Sequence, residues 1–215
     1  MLQILTQQNS LVNDFLAELR DKEIQKDRLR FRKNVERIGM VLAYEVSKHL
    51  PRKEAEVQTP LGNHPTTLIE EQPVLATVLR AGLALHQGFL NFFDQADSAY
   101  VSAYRKTTHN HEFEIVVEYL ASPNLTGRTL ILIDPMLATG RSMVLTYKAL
   151  LSKGTPARVM VVGLIGSQQG VKYIQEHMPG VPIFIADVDS DLDTNYYIVP
   201  GLGDAGDLSY GEKLS

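Results

Sequence analysis

The sequence lacks several features that would assign it to an extracellular or membrane class. Among its 215 residues there is no cysteine, and no apolar stretch approaches the 18 residues of a membrane span. The first ten residues, MLQILTQQNS, alternate polar and apolar types and have no basic start of a secretory leader. We therefore expect a cytoplasmic protein, and the 44% hydrophobic content is enough for one substantial core.

The net charge is small, but the charged residues are unevenly distributed along the chain. The net charge of −4 argues against a general nucleic-acid binder, which usually presents a basic face. Residues 20–37 nevertheless hold eight Lys or Arg against four Asp or Glu, and residues 187–215 hold seven acids and one lysine. The basic segment is typical of the solvated side of an amphipathic helix, with a phosphate or RNA surface as the alternative. The acidic end is either a magnesium-facing edge or a solvated rim.

Short apolar segments alternate with helical ones from residue 74 onward. Strands are predicted at 74–79, 100–104, 113–120, 129–133, 158–165 and 181–186, and helices at 83–93, 141–152 and 170–177. Residues 10–50 read as two helices ended by Pro51, and residues 56–70 as a hairpin that stands apart from the core. The pattern predicts an α/β fold: a mainly parallel sheet flanked by helices, with an N-terminal helical segment and a protruding β-hairpin.

The segment ILIDPMLATGRSM, residues 131–143, joins a buried strand to a helix through an acid and a glycine turn. Ligands of parallel sheets bind beyond the carboxyl ends of the strands, and a helix N-terminus there offers amides to an anion. Thr139 and Ser142 add hydroxyl donors, and Gly140 lets the backbone come close to a phosphate. Taken alone, the segment could equally be an ordinary corner in which Thr or Ser caps the helix.

The acid before this turn favours a sugar phosphate as the ligand. The loop would hold the phosphate, and the Asp134 carboxylate would accept hydrogen bonds from ribose hydroxyls. Neither GxxxxGK[ST] nor a correctly placed GxGxxG occurs, which argues against a P-loop or a dinucleotide site.

Three motifs carry a resemblance to a known family. LIDPMLATG is similar to the phosphoribosyl diphosphate loop of type I phosphoribosyltransferases, and its PMLATG form resembles uracil phosphoribosyltransferases. LRAG at residues 79–82 and YIVPGLGDAGD at residues 197–207 stand in the order of that family. The resemblance covers nearly the whole chain and is weakest in the N-terminal helices and at residues 106–124. It implies transfer of the 5-phosphoribosyl group from phosphoribosyl diphosphate to uracil N1, which gives UMP and diphosphate.

The resemblance also implies the residues of the site. The donor set comprises Arg80, Arg105, Asp134, Pro135, Met136, Leu137, Ala138, Thr139, Gly140, Arg141, Ser142 and Asp204. The uracil set comprises Ile198, Gly203, Asp204 and Ala205, and the candidate catalytic residues are Asp134, Arg105 and Asp204. Arg80 and Arg105 each follow an apparent strand, and a guanidinium fork matches the paired oxygens of a diphosphate. Magnesium is expected to bind mainly through that diphosphate, without a dedicated set of protein ligands.

The glycine-rich stretch at residues 200–206 has its own physical interpretation. Its backbone can approach a flat ligand closely, and exposed N–H and C=O groups complement the polar edge of uracil. A flexible surface connector is the alternative when the stretch is taken alone.

Some positions depart from the family pattern. Arg141 stands where the family commonly has a second glycine, and residues 106–113 differ from the lid found in bacterial members. His109 and His111 suggest a metal pair, but two histidines without a third ligand are predicted to be loop residues.

Two alternatives remain open at this point. One is a pyrimidine-responsive regulatory RNA-binding protein on the same fold, with residues 20–37 as its RNA surface, and the other is an enzyme that accepts another base. The family resemblance makes GTP a candidate effector.

The expected organisation is a single domain, 1–215. It includes the N-terminal helices (about 10–50), a hairpin arm (about 54–71) and a C-terminal uracil-binding hood (about 187–215). A homodimer or larger homo-oligomer is expected because the hairpin looks too exposed to be stable alone.

Overall fold

The computed structural model describes residues 1–107 and 113–213, with side chains described outside residues 103–117. The first half contains β1 (Leu2–Ile4), α1 (Leu11–Arg20), α2 (Arg28–Ser47), β2 (Arg52–Thr59), β3 (Gly62–Ile69), β4 (Val74–Leu79), α3 (Leu83–Leu90) and β5 (Asp97–Thr107). The second half contains β6 (Phe113–Ala121), β7 (Thr129–Ile133), β8 (Met136–Leu137), α4 (Arg141–Leu150), β9 (Arg158–Ser167), α5 (Gln168–His177), β10 (Ile183–Asp189), β11 (Asp191–Leu192), β12 (Ile198–Val199) and α6 (Ala205–Tyr210).

The central sheet has the strand order β1-β10-β9-β7-β4-β5-β6, and β8 adds a short pairing to β9. Every neighbouring pair is parallel except β5 with β6. The predicted mainly parallel sheet is therefore confirmed.

Alternation along the buried strands divides the core into two layers. Ile131 and Ile133 of β7 pack in one cluster with residues of α1, α2 and α3, whereas Leu130 and Leu132 pack in a second cluster with residues of α4 and α5. All five residues of β7 are buried, as expected for a strand that helices cover on both faces.

The N-terminal helices begin where the sequence supplies caps. The Ser10 side chain accepts from Val12 N at the start of α1, and the Asp27 side chain accepts from Leu29 N and Arg30 N at the start of α2. Further along, α2 crosses α3 at a pair of glycines, where a Cβ on Gly88 would lie 2.3 Å from the Glu36 carbonyl oxygen. Only glycine permits this approach.

The predicted hairpin is confirmed. Strands β2 and β3 pair antiparallel from Arg52↔Ile69 to Thr59↔Gly62 and form a separate two-stranded sheet. Most of its residues are exposed, and Leu61 at its turn is 99% exposed.

Three boundaries differ from the sequence-based prediction. Strand β1 pairs in parallel with β10 at the edge of the sheet, although the sequence analysis assigned no strand to the first residues. Strand β5 continues to Thr107, so Arg105 lies inside a strand and does not follow one. Strand β10 continues to Asp189, so the first acids of the C-terminal run belong to the sheet. In each case, pairing with a neighbouring strand of the sheet extends the element beyond its local signal.

Among the described residues, no helix is long and apolar enough to cross a bilayer. The proposed loop histidines, His109 and His111, lie outside the described residues.

Candidate active site

The site lies where the strand order reverses. From β4 the chain proceeds to β5 on one side and later returns through β7 on the other, so β4 and β7 are neighbours with diverging connections. Such a reversal opens a crevice at the carboxyl ends of the strands. Arg80 directly follows β4 and Asp134 directly follows β7, so the structure brings these two predicted site residues to this edge.

Asp134 is buried at the end of β7. The residue is 8% exposed, its backbone N–H donates to Val162 O at 3.1 Å, and its Oδ1 accepts from Met136 N at 3.2 Å. Burial raises the pKa of this carboxyl to about 6. Among the side chains that the structure describes, no cation pairs with Asp134. The carboxylate is thus held in place but left without a counter-charge.

The loop after Asp134 leads into α4 through Gly140, whose φ is +72°. No described side chain caps the helix at Gly140, although Thr139 Oγ1 accepts from Arg141 N at 3.4 Å. This long bond is what the ordinary-corner interpretation predicts, and it leaves other amides of the first turn without an intrahelical acceptor. Arg141 is exposed. The helix start can therefore receive an anion while the Arg141 side chain extends into solvent.

The turn between β9 and α5 supports this loop from behind. Ser167 Oγ donates to Ala138 O at 2.6 Å and accepts from Gly170 N at 2.9 Å. A Cβ on Gly170 would lie 2.2 Å from Leu137 O, and one on Gly140 would lie 2.5 Å from Gly170 O. The sequence analysis missed Ser167 and Gly170. A Ser three residues before a Gly at a predicted helix start was a visible capping signal, but nothing local connects it to residue 138.

The two predicted diphosphate arginines have different surroundings. Arg80 Nη2 lies 3.1 Å from Asp207 Oδ1 and donates to Gly211 O at 3.1 Å. Its peptide bond with Leu79 is cis. The backbone of Arg105 lies three residues beyond Ser102, the partner of Leu79 at the end of β4, and its side chain is outside the described set.

The base segment, residues 198–206, starts in the small sheet of β11 and β12 and ends in α6. Gly201 and Gly203 adopt φ values of +58° and +97°, and the Val199–Pro200 bond is cis. Ile198 and Ala205 are buried, and Gly203 is exposed. A Cβ on Gly206 would lie 3.7 Å from Ala81 Cβ, so the segment packs against the LRAG motif.

The Asp204 carboxylate caps α6. Its Oδ1 accepts from Gly206 N at 2.8 Å and from Asp207 N at 3.0 Å, and its Oδ2 lies 3.6 Å from Lys213 Nζ. A surface cleft of about 420 Å³ lies beside it, lined by Gln25, Lys26, Arg28, Asp204, Asp207, Leu208 and Glu212.

Several cations of the basic segment are paired with acids, one of them with the acidic segment and the others with nearby glutamates. Arg20 pairs with both Asp187 and Asp189, at 2.9 and 2.8 Å, so these two acids form neither a magnesium-facing edge nor a solvated rim. Three further cations of the basic segment pair with nearby acids: Lys26 with Glu23, Arg30 with Glu18, and Lys33 with Glu36. Arg32 donates to Ser209 O, and Arg37 lies over the Phe15 ring. This arrangement fits the amphipathic-helix interpretation better than an RNA surface.

Comparison with known proteins decides the family. The model of the family described as uracil phosphoribosyltransferase matches residues 5–211. The chain belongs to the uracil phosphoribosyltransferase family. A uracil phosphoribosyltransferase of Porphyromonas gingivalis is 54% identical over 208 residues, which are 96% of each chain. One from Pyrococcus furiosus is 36% identical over 94% of this chain and 87% of its own.

Solved structures share the fold of this uracil phosphoribosyltransferase family member. The AQ2163 protein of Aquifex aeolicus superposes with a TM-score of 0.87 at 30% identity over all of both chains. A purine phosphoribosyltransferase of Pyrococcus horikoshii has a TM-score of 0.52 at 12% identity, covers 73% of this chain and 83% of its own, and shares only the fold. The predicted family and fold class are confirmed, and the regulatory RNA-binding alternative is not favoured.

Proposed function

We propose that the chain transfers the 5-phosphoribosyl group of phosphoribosyl diphosphate to uracil N1, producing UMP and diphosphate. One observation carries the assignment to this site: the Arg80–Asp207 pair, at 3.1 Å, joins the donor edge of the sheet to α6, the helix in which the base segment ends. A transferase needs both substrates at adjacent places, because the reacting atoms must lie within contact distance.

The donor would occupy the crevice beyond β4 and β7. The 5′-phosphate would bind the loop from Pro135 to Ser142 and the helix start behind it, and the ribose hydroxyls would donate to Asp134. The diphosphate would lie toward Arg80 and Arg105. Because Arg80 Nη2 donates to Asp207 in the described state, the diphosphate would compete with that partner for the guanidinium.

Uracil would bind between Ile198, Gly203, Asp204 and Ala205, mainly through backbone groups. As diphosphate departs, positive charge develops on the ribose, and no covalent bond to the protein is required. The arginines stabilise the leaving charge, and the base segment orients the nucleophile. Asp204 is the proposed acceptor for the proton lost from the base, through Oδ2, since Oδ1 is engaged at the start of α6.

Magnesium fits this site as a substrate-bound ion. Among the described residues, no group of three or more His, Cys, Asp or Glu could hold a metal, so its ligands would come mainly from the diphosphate and water. The bound ion would neutralise part of the charge on the leaving diphosphate.

We further propose a single domain, 1–215, with the hairpin arm and the hood as parts of it, and assembly at least as a homodimer. The exposed, isolated hairpin supports assembly, because two strands alone are marginal in water. GTP is proposed as an effector by family resemblance alone, and its test is the change in rate on GTP addition.

The test of the function is UMP formation from uracil, phosphoribosyl diphosphate and Mg²⁺ by the purified protein. Cytosine and hypoxanthine serve as competing bases, and a pyrimidine-leader RNA serves as a binding probe over a salt series. We expect turnover with uracil only and weak RNA binding that salt removes. Donor binding without turnover, together with tight RNA binding, would replace the enzyme assignment with the regulatory one.

A further inference from the structure

The base segment is held at Gly201 by an ion pair that lies outside both substrate sets. Gly201 N donates to Asp189 Oδ2 at 3.0 Å, and Gly201 O accepts from Arg20 Nη1 at 2.8 Å. Both backbone polar groups of one residue are thus bound by the two halves of one salt bridge. Gly201 adopts φ +58°, and a Cβ there would lie 2.0 Å from Ile198 O, so the backbone at this point is tightly specified.

Arg20 joins three parts of the fold at this contact. Its Nη1 and Nη2 donate to the two oxygens of Asp189 at 2.8 Å each, and Nη2 also donates to Asp187 Oδ2 at 2.9 Å. Arg20 is the last residue of α1, whereas Asp189 ends β10. With Gly201 O, these make four acceptor atoms on three residues, a set that suits the fork of a guanidinium and that an ammonium cannot reproduce.

The pair is shielded from solvent. The Asp189 side chain is 7% exposed and the Arg20 side chain 20%. Charge-assisted hydrogen bonds in such surroundings are stronger and better directed than surface ion pairs. None of the described Arg20 hydrogen bonds reaches the donor loop of residues 134–142, which Ser167 and Gly170 support separately.

We propose that Arg20 is a positioning residue for the uracil subsite and acts through Asp189 and Gly201. This inference rests on the proposed placement of uracil at residues 198–205. By fixing Gly201, the guanidinium sets where the following residues, Gly203 to Ala205, present their backbone groups to the base. The structure therefore predicts a defect in uracil use that is much larger than any defect in donor use, since Asp204 is the one residue of this stretch that also belongs to the donor set.

The test compares Arg20→Met, Arg20→Lys and a matched control, Arg30→Met. Arg30 forms a similar bidentate ion pair with Glu18 of α1, but none of its described hydrogen bonds reaches the base segment. KM is measured separately for uracil and for phosphoribosyl diphosphate, with the thermal midpoint of each variant. Arg20→Met is expected to raise the KM for uracil at least tenfold and that for the donor less than twofold. Arg20→Lys should recover part of the loss, and Arg30→Met should change neither KM.

Equal increases in both KM values, or a lower thermal midpoint with an unchanged KM for uracil, would overturn the inference and make Arg20 a purely structural residue. If Arg20→Met does not fold, the Arg20→Lys comparison decides the question alone. If the wild-type protein makes no UMP, the proposed function itself fails, and that result is distinct from either outcome for Arg20.

Discussion

Asp134 and Asp189 occupy equivalent places and have opposite surroundings. Asp134 directly follows β7, Asp189 is the last residue of β10, and each is 8% exposed. Asp189 is surrounded by the Arg20 guanidinium and the Gly201 amide, whereas Asp134 receives one amide from Met136. Burial without a cation leaves the Asp134 carboxyl with a raised pKa of about 6. The two acids therefore differ in their partners and not in their position in the sheet, and the acid without a cation is the one that we propose for the donor site.

The largest expected effect is on activity at Asp134. Asp134→Asn keeps the size of the side chain but replaces one acceptor oxygen with a donor amide, so kcat/KM for UMP formation should fall on the order of a hundredfold or more. Steady-state assays with saturating Mg²⁺ measure this change. Glu176→Gln, an exposed acid of α5, is the matched control and should retain full activity. Wild-type rates in Asp134→Asn would show that this carboxylate plays no part in the donor site.

The same substitution at the two positions should change stability in opposite directions. At pH 7, Asp134→Asn removes a buried charge and should raise the free energy of unfolding by up to about 3 kcal/mol, the value of a pKa shift from 3.8 to about 6. Asp189→Asn leaves Arg20 with a weakened partner and should lower it by about 3 kcal/mol. Urea unfolding at pH 7 measures both. If both variants lose stability, the buried Asp134 carboxylate does not destabilise the fold, and the expected difference between the two acids is wrong.

The pH dependence of stability offers a further test, because a second buried group, His86, affects stability in the opposite direction to Asp134. Burial lowers the pKa of His86 to about 4, so the unfolded chain binds the extra proton and stability falls as the pH drops from about 6.5 to 4. For Asp134 the folded state binds the proton more tightly, so stability falls as the pH rises from about 4 to 6. Below about pH 6 the two slopes partly cancel in the wild-type protein.

Asp134→Asn should therefore reveal the His86 slope, with stability decreasing more steeply on acidification than in the wild type. His86→Gln should reveal the opposite slope of Asp134. Urea midpoints between pH 4 and 7 measure both, and parallel curves for all three proteins would contradict the assignment of the two groups.

The smallest expected effect concerns Gly140, the glycine of the donor loop. Gly140→Ala places a Cβ 2.5 Å from Gly170 O and should displace the loop, raising the KM for phosphoribosyl diphosphate several-fold. Gly180→Ala is the control. Gly180 also has a positive φ, +81°, but a Cβ there meets nothing within 4 Å, so only a stability cost of about 1 kcal/mol is expected. Equal KM values for phosphoribosyl diphosphate in the two variants would show that the loop does not contribute to donor binding.

Local sequence signals placed Asp134 correctly at the end of a strand, but they led to a wrong interpretation of Asp189. Asp134 stands inside a contiguous motif, with its strand, turn and helix start within 13 residues, so periodicity and turn chemistry were sufficient. Asp189 was interpreted as part of a magnesium-facing edge or solvated rim because its partner, Arg20, lies 169 residues earlier in the chain. Pairing over such a distance leaves no local pattern.

The same limit explains the other differences between sequence and structure. Most helices and strands were predicted within a few residues, since each carries its own apolar period. The β1 strand and the Arg80–Asp207 contact both depend on a neighbour supplied by a remote segment. Ser167 belongs to this group as well, because its contact with Ala138 spans 29 residues.

The three-residue strand β1 covers an edge that the longer strand β10 would otherwise present. It covers one side of β10 from Leu2↔Ile183 to Ile4↔Ile185, and Thr6 Oγ1 then donates to Asp187 Oδ1 at 2.8 Å. An uncovered strand of this kind presents a row of amides and carbonyls to which another chain can add. Deleting residues 1–8 would expose such a row along Ile183, Phe184 and Ile185, and the shortened protein is expected to aggregate on heating well before the intact one.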